Sequence, residues 1–85
     1  MGAEELVGFL VRGLVDNPDD VDVQPLEGDA SLVLEVSVNA DDVELVKGED
    51  GETMRHLKAV VSAAAGKRKT IVELVATHGE AEEEE

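Results

Sequence analysis

Gly48 and Gly51 stand three residues apart in Val46-Lys47-Gly48-Glu49-Asp50-Gly51-Glu52-Thr53-Met54-Arg55, between two segments with the apolar spacing of helices. Upstream, Val43 and Val46 form a short apolar face; downstream, Met54, Leu57, Val61 and Ala64 share one face of a longer helix. The chain therefore has to turn sharply between two helices. Glycine permits backbone conformations closed to other residues and lets a ligand approach the main chain. The start of the following helix presents N–H groups and the positive end of its dipole. Such an elbow constrains the fold and also makes an anion site, yet Glu49, Asp50 and Glu52 place three carboxylates in it.

The remaining pattern is mixed helix and strand. Residues 4–15 carry Leu6, Leu10 and Leu14 with Val7 and Val11 beside them, a helical stripe, and Glu4 and Glu5 suit its first turn. The run Asp-Asn-Pro-Asp-Asp at 16–20 ends that helix, because Pro18 disfavours helical geometry at Asn17. Residues 21–26 read as a short strand, made an edge strand or terminated by Pro25. A turn at 27–30 leads to the clearest strand, 31–38, with Leu32, Leu34, Val36 and Val38 on one face. Asn39 is the expected N-cap of a short helix over 39–47, with Asp42 three residues on, close to a capping box. The helix after the elbow spans 52–65 and stops at Gly66; Ala63, Ala64 and Ala65 are small enough for close packing on a sheet. Residues 69–76 are the last strand. The order α-β-β-α-α-β implies a two-layer α+β domain, a three-stranded sheet with three helices on one face. One domain over residues 1–77 is expected, followed by an acidic, disordered tail at 78–85.

The totals exclude several classes. There is no cysteine, hence no disulfide framework and no cysteine-based zinc site. One Phe with no Trp or Tyr removes the aromatic platform on which many single-strand binders stack bases. No apolar run approaches the ~20 residues of a membrane span, and the N-terminus lacks the pattern of a signal peptide, so a soluble, cytoplasmic protein is expected. His56 and His78 have no serine or cysteine constellation around them, and no phosphate-binding Gly-x-x-x-x-Gly-Lys occurs, so no enzymatic activity is expected. The carboxylates at 16–22 and 41–44 lack calcium-loop spacing and are read as solvated surface; no metal and no cofactor is expected. The net charge of -14 opposes a polyanion partner, but six of the seven basic residues (Lys47, Arg55, Lys58, Lys67, Arg68 and Lys69) fall in one locally basic segment, which contains the elbow.

With these residues in place, the chain resembles a type II KH domain. More closely, "LVGFLVRGLVDNPDDVDV", "SLVLEVSVNADDVELVKGEDG" and "LKAVVSAAAGKRKTIVELV" resemble the small single-domain bacterial KH proteins of the KhpA (YlqC-like) family over residues 4–76. The resemblance implies a non-enzymatic protein that binds single-stranded RNA, acting as a post-transcriptional regulator or RNA chaperone in the cytoplasm, with no DNA partner. It further implies self-association as a homodimer, or a heterodimer with a larger KH protein of the KhpB/Jag type. The RNA-binding residues it implies are Lys47, Gly48, Glu49, Asp50 and Gly51 at the GxxG loop, with Arg55 and Lys58 on the next helix.

The loop departs from the family pattern. Lys47 stands where an apolar residue is usual, and Glu49 and Asp50 stand where a basic residue is expected. At ~5 Å a carboxylate repels a phosphate by about 0.8 kcal/mol in water, and by about 3 kcal/mol at an effective dielectric near 20. The dipole of a short helix contributes only about 0.3–1 kcal/mol. Two functions follow from the same residues. One is an RNA module that grips the nucleic-acid backbone at the elbow. The other is a KH scaffold turned to pairing with proteins, in which the glycines serve geometry and the acids merely suit a helix N-terminus. Arg55 with Lys58, and Lys67 to Lys69, are open to the same pair of readings: phosphate contacts, or a solvated helix face and a cationic helix end. An acid-rich surface is also one that stays soluble at high salt, where screening shortens the range of the repulsion.

Overall fold

The computed structural model describes the backbone of residues 2–78 and the side chains of residues 2–76. Six regular elements follow one another: helix α1 (Ala3–Leu14), strands β1 (Asp22–Glu27) and β2 (Ser31–Asn39), helices α2 (Val43–Lys47) and α3 (Glu52–Ala65), and strand β3 (Lys69–His78). Short 3-10 turns at Pro18–Asp20, Ala40–Asp42 and Glu49–Gly51 make the corners. The expected order α-β-β-α-α-β holds. Strand β3 runs through His78, two residues past its expected end, and residues 79–85 of the expected tail lie outside the described residues.

The sheet has the order β1-β2-β3. Strands β1 and β2 pair antiparallel across the turn at 28–30, with Val23 opposite Val36 and Pro25 opposite Leu34. Pro25 is tolerated because β1 is an edge strand, where a missing N–H breaks no inner ladder. Strands β2 and β3 are parallel, with Leu34 opposite Val72 and Val36 opposite Leu74. A parallel pair needs a long crossover, and α2, the elbow and α3 supply it.

Alternation along β2 turns Leu34, Val36 and Val38 inward, all fully buried. Val7 and Val11 from α1, Val46 from α2, and Leu57 and Val61 from α3 pack against them with Val21 and Val72. All three helices thus cover one face of the sheet. The apolar arcs of the helices are wider than the face that the sheet can cover. Leu6 and Leu10 are half-buried and Leu14 is exposed, so the core line of α1 is Val7 and Val11. On α3, Ala64 does not join Leu57 and Val61: Ala63 and Ala64 are exposed, and Ala65 is the half-buried one, one full turn after Val61.

The carboxylates at 16–22 and 41–44 are not uniformly solvated surface. Asp42 is 1% exposed. Its Oδ2 accepts from the Asn17 backbone N–H and from Asn17 Nδ2, both at 3.0 Å. Beside it, Asn39 Nδ2 donates to Asp20 Oδ2 at 3.0 Å, while Asn39 Oδ1 caps the Asp41 N–H at 2.8 Å. Asn39 caps the three-residue 3-10 turn Ala40–Asp42, and the expected helix over 39–47 is α-helical only from Val43. Asp42 closes no capping box, and its side chain crosses to the turn after α1 instead.

Candidate nucleic-acid interface

The elbow takes its shape from three residues of positive φ. Gly48 has φ 77° and ψ 170°, Asp50 has φ 57°, and Gly51 has φ 75°. Asp is among the few residues that enter the left-handed region readily. The two glycines differ in what surrounds them. A Cβ at Gly48 would run into the Thr53 side chain and its backbone nitrogen, and its φ and ψ lie in a region reserved almost entirely for glycine. A Cβ at Gly51 would meet nothing within 4 Å. Gly48 is therefore fixed by packing, whereas Gly51 faces open space at the tip.

The loop uses part of its own donor set. The Gly51 N–H donates to the Gly48 carbonyl at 3.1 Å, and the Glu52 N–H donates to the Glu49 carbonyl. These two amides, which would otherwise point at an anion, close the 3-10 turn. Arg55 Nη1 donates to the Asp50 carbonyl at 3.0 Å and ties the loop to the first turn of α3. Glu49, Asp50 and Glu52 are exposed, and among the described residues their carboxylates form no ion pair. Exposure leaves these side chains free to rotate away from an approaching phosphate, and keeps their repulsion toward the aqueous end of the range.

Beside the elbow runs a groove of about 520 Å³, lined by Val43 and Lys47 of α2, Met54 and Lys58 of α3, and Val72, Glu73, Leu74 and Val75 of β3. Four consecutive strand residues line it. A sheet face would contribute alternate residues, so the groove wall is the edge of β3. The order β1-β2-β3 leaves that edge without a strand partner among the described residues, a row of backbone donors and acceptors facing the groove. Val43, Met54, Val72 and Leu74 give it an apolar floor, and Lys47 and Lys58 bring two ammonium groups to it. By strand alternation Glu73 leaves the core side, as its exposure shows, and stands next to Glu35 on the open face of the sheet.

Of the residues singled out from sequence, the fold puts Lys47 and Lys58 into the lining of this groove, whereas Gly48, Glu49, Asp50 and Gly51 follow Lys47 in the chain and are not part of that lining. Arg55 is not part of its lining and is engaged with the loop. The locally basic segment does not form one patch. Lys67, Arg68 and Lys69 lie past the far end of α3, a helix of 14 residues and hence about 21 Å long. There Arg68 pairs with Glu27 at 3.2 Å. The sequence pattern marks Val43, Met54 and residues 72–75 as core or strand, and only the fold makes them part of a site. Among the described residues no group of three or more His, Cys, Asp or Glu is placed to hold a metal ion, and no helix is long and apolar enough to cross a membrane.

A family model described as KhpA/KhpB, KH domain, matches residues 4–76, the whole span from the first turn of α1 to the body of β3. The chain belongs to this family. The RNA-binding protein KhpA of Streptomyces coelicolor is 47% identical over 64 residues, covering 75% of this chain and 81% of its own. The RNA-binding protein KhpA of Halalkalibacterium halodurans is 45% identical over 69 residues, covering 81% and 91%. That of Clostridium perfringens is 38% identical over 74 residues, covering 85% and 99%. The type II KH fold expected from sequence is thus the family's fold, and the groove described above lies inside the matched span.

Proposed function

We propose that this chain binds single-stranded RNA without catalysing a reaction, laying the strand along the groove between α2, α3 and the free edge of β3. The observation that carries the reading is the groove itself: an apolar floor, two lysines and a strand edge unpaired among the described residues, with the glycine elbow following directly on Lys47. Aliphatic side chains take the faces of unstacked bases in place of the absent aromatics. The β3 backbone offers donors and acceptors to base edges. Lys47 and Lys58 meet phosphates, and the open space at Gly51 admits the sugar–phosphate chain to the loop. The naming of the relatives as RNA-binding proteins supports the reading. A cytoplasmic post-transcriptional regulator or RNA chaperone is the role that fits a small non-enzymatic module of this kind, with no DNA partner.

A second reading has its own observation. Phe9, the single aromatic residue, is 66% exposed, and Leu14 and Val60 are 38% and 48% exposed. With Leu10, Leu14 and Val60, a hollow between α1 and α3 takes in Thr53, His56 and Leu57. A face of this kind favours protein pairing, either with a second copy or with a larger KH protein of the KhpB/Jag type. Sedimentation of the wild type beside Phe9→Glu tests it: loss of an associated state in the variant is the expected result, and a strict monomer in both removes it.

Fluorescence anisotropy with short labelled single-stranded RNAs tests the RNA reading. Three chains are compared at low and moderate salt: wild type, Glu49→Lys with Asp50→Lys, and Gly51→Asp. Wild-type binding that weakens with salt, tightens in the lysine variant and is lost in Gly51→Asp is the expected result. Binding by the lysine variant alone would move the native role to pairing, or to RNA bound together with a partner.

A further inference from the structure

Helix α2 has five residues and sends one fully buried side chain, Val46, into the core. Isolated helices below about 12–15 residues are marginal in water, so α2 has no stability of its own. Yet Val43 and Lys47 form one wall of the groove, and Gly48 follows directly. Something has to hold the N-terminal end of α2. The residue there is Asp42, and two facts set it apart. An Asp in the N-cap position ordinarily turns its carboxylate onto its own helix, but Asp42 makes no such bond. It is instead 1% exposed and takes both of its hydrogen bonds from Asn17, in the turn after α1. The neighbouring pair Asn39 and Asp20 joins the same two segments in the opposite sense. The turn they grip follows α1, which Val7 and Val11 root in the core, and contains Pro18.

From this arrangement we infer that Asp42 is a positioning residue for nucleic-acid binding: its carboxylate, clasped by Asn17, fixes α2 against the α1–β1 turn and thereby sets Val43, Lys47 and the glycine elbow along the groove. The clasp acts through α2 and touches no ligand. The inference rests on the groove being the RNA site, and the test separates the two.

Four variants are compared with the wild type: Asp42→Ala, Asn17→Ala, Asp42→Asn, and Val11→Ala as a core lesion outside the groove. Asn17→Ala removes only the side-chain donor and keeps the backbone one, so it reports even where Asp42→Ala fails to fold. Asp42→Asn keeps a carbonyl oxygen able to accept both bonds. Two readouts are taken under conditions where every variant used is folded. The first is hydrogen exchange at the Gly48 and Gly51 amides, which bond to Glu44 and Gly48, measured relative to amides of β2. The second is affinity for a short labelled single-stranded RNA of mixed sequence.

In Asp42→Ala and Asn17→Ala, elbow protection is expected to fall while β2 protection follows global stability. RNA affinity is expected to drop by about tenfold or more in Asp42→Ala, which loses both bonds to the carboxylate, and by less in Asn17→Ala, which loses one. Asp42→Asn restores both readouts, and Val11→Ala lowers stability without moving either. Elbow exchange no faster in the two clasp variants than in Val11→Ala overturns the inference. So does loosening of the elbow with unchanged affinity. Failure of the wild type to bind RNA overturns the groove reading, and the exchange comparison then decides by itself whether Asp42 positions the elbow.

Discussion

The two ends of α3 look alike in sequence and differ in the fold. Each has glycine and lysine at the helix boundary, and together they make up the basic segment 47–69. From the elbow to the middle of the helix, Lys47 and Lys58 line a groove with an open strand edge, and no carboxylate within salt-bridge reach is found for either among the described residues. At the far end, about 21 Å away by helix length, Arg68 pairs with Glu27 across the surface, and Lys67 and Lys69 are exposed outside the groove lining. A run of basic residues is therefore not a basic patch. What lets a lysine meet a ligand is the concavity that the topology puts beside it.

Substitutions at the two ends sharpen this contrast, and the largest effect is expected in the elbow. Gly48→Ala should lower unfolding stability by about 3 kcal/mol or more, since it combines a glycine-only backbone conformation with a clash against Thr53. Gly51→Ala, with open space around its Cβ, should lose only about 1–2 kcal/mol, the penalty of a left-handed backbone. Urea midpoints at constant m-value measure both, and equal losses would break the distinction between a packed glycine and an open one.

The next effect is in affinity. Lys47→Glu with Lys58→Glu should weaken RNA binding by about tenfold or more, and reduce the salt slope by about 0.7 for each phosphate no longer neutralised. Lys67→Glu with Lys69→Glu, the same charge change at the far end, should leave that slope unchanged. Equal effects from the two pairs would mean that net charge, not the groove, governs binding. The smallest effect belongs to the exposed pair at the far end. Arg68→Ala should change stability by less than about 1 kcal/mol and leave RNA affinity unchanged.

The same contrast marks how far the sequence can be read. Element order, the inward face of β2 and the Leu57–Val61 line are local patterns, and each is found as expected, while Asn39 caps a 3-10 turn ahead of α2 rather than a helix over 39–47. Leu14 and Ala64 fall on packed faces by periodicity alone, because periodicity defines an apolar arc but not how much of it the sheet covers. The burial of Asp42 is not legible, because its partner Asn17 lies 25 residues away in the chain. An Asp beside a helix start reads as a cap or as solvated surface until the tertiary partner is known. The groove is half legible. The elbow and its lysines announce themselves, whereas Val43, Met54 and the β3 edge become a site only through the pairing order β1-β2-β3, which no local pattern encodes.

Chemical-shift mapping tests the groove most directly. Uniformly 15N-labelled protein is titrated with a short single-stranded RNA, and the amide of each described residue is followed. Shifts are expected to saturate together at Val43, Lys47, Gly48 to Gly51, Lys58 and residues 72–75, with Phe9, Leu14 and residues 67–69 unmoved. Shifts centred on the α1–α3 face around Phe9 and Val60, or spread over residues 67–69 with the groove unmoved, would contradict a groove-bound strand.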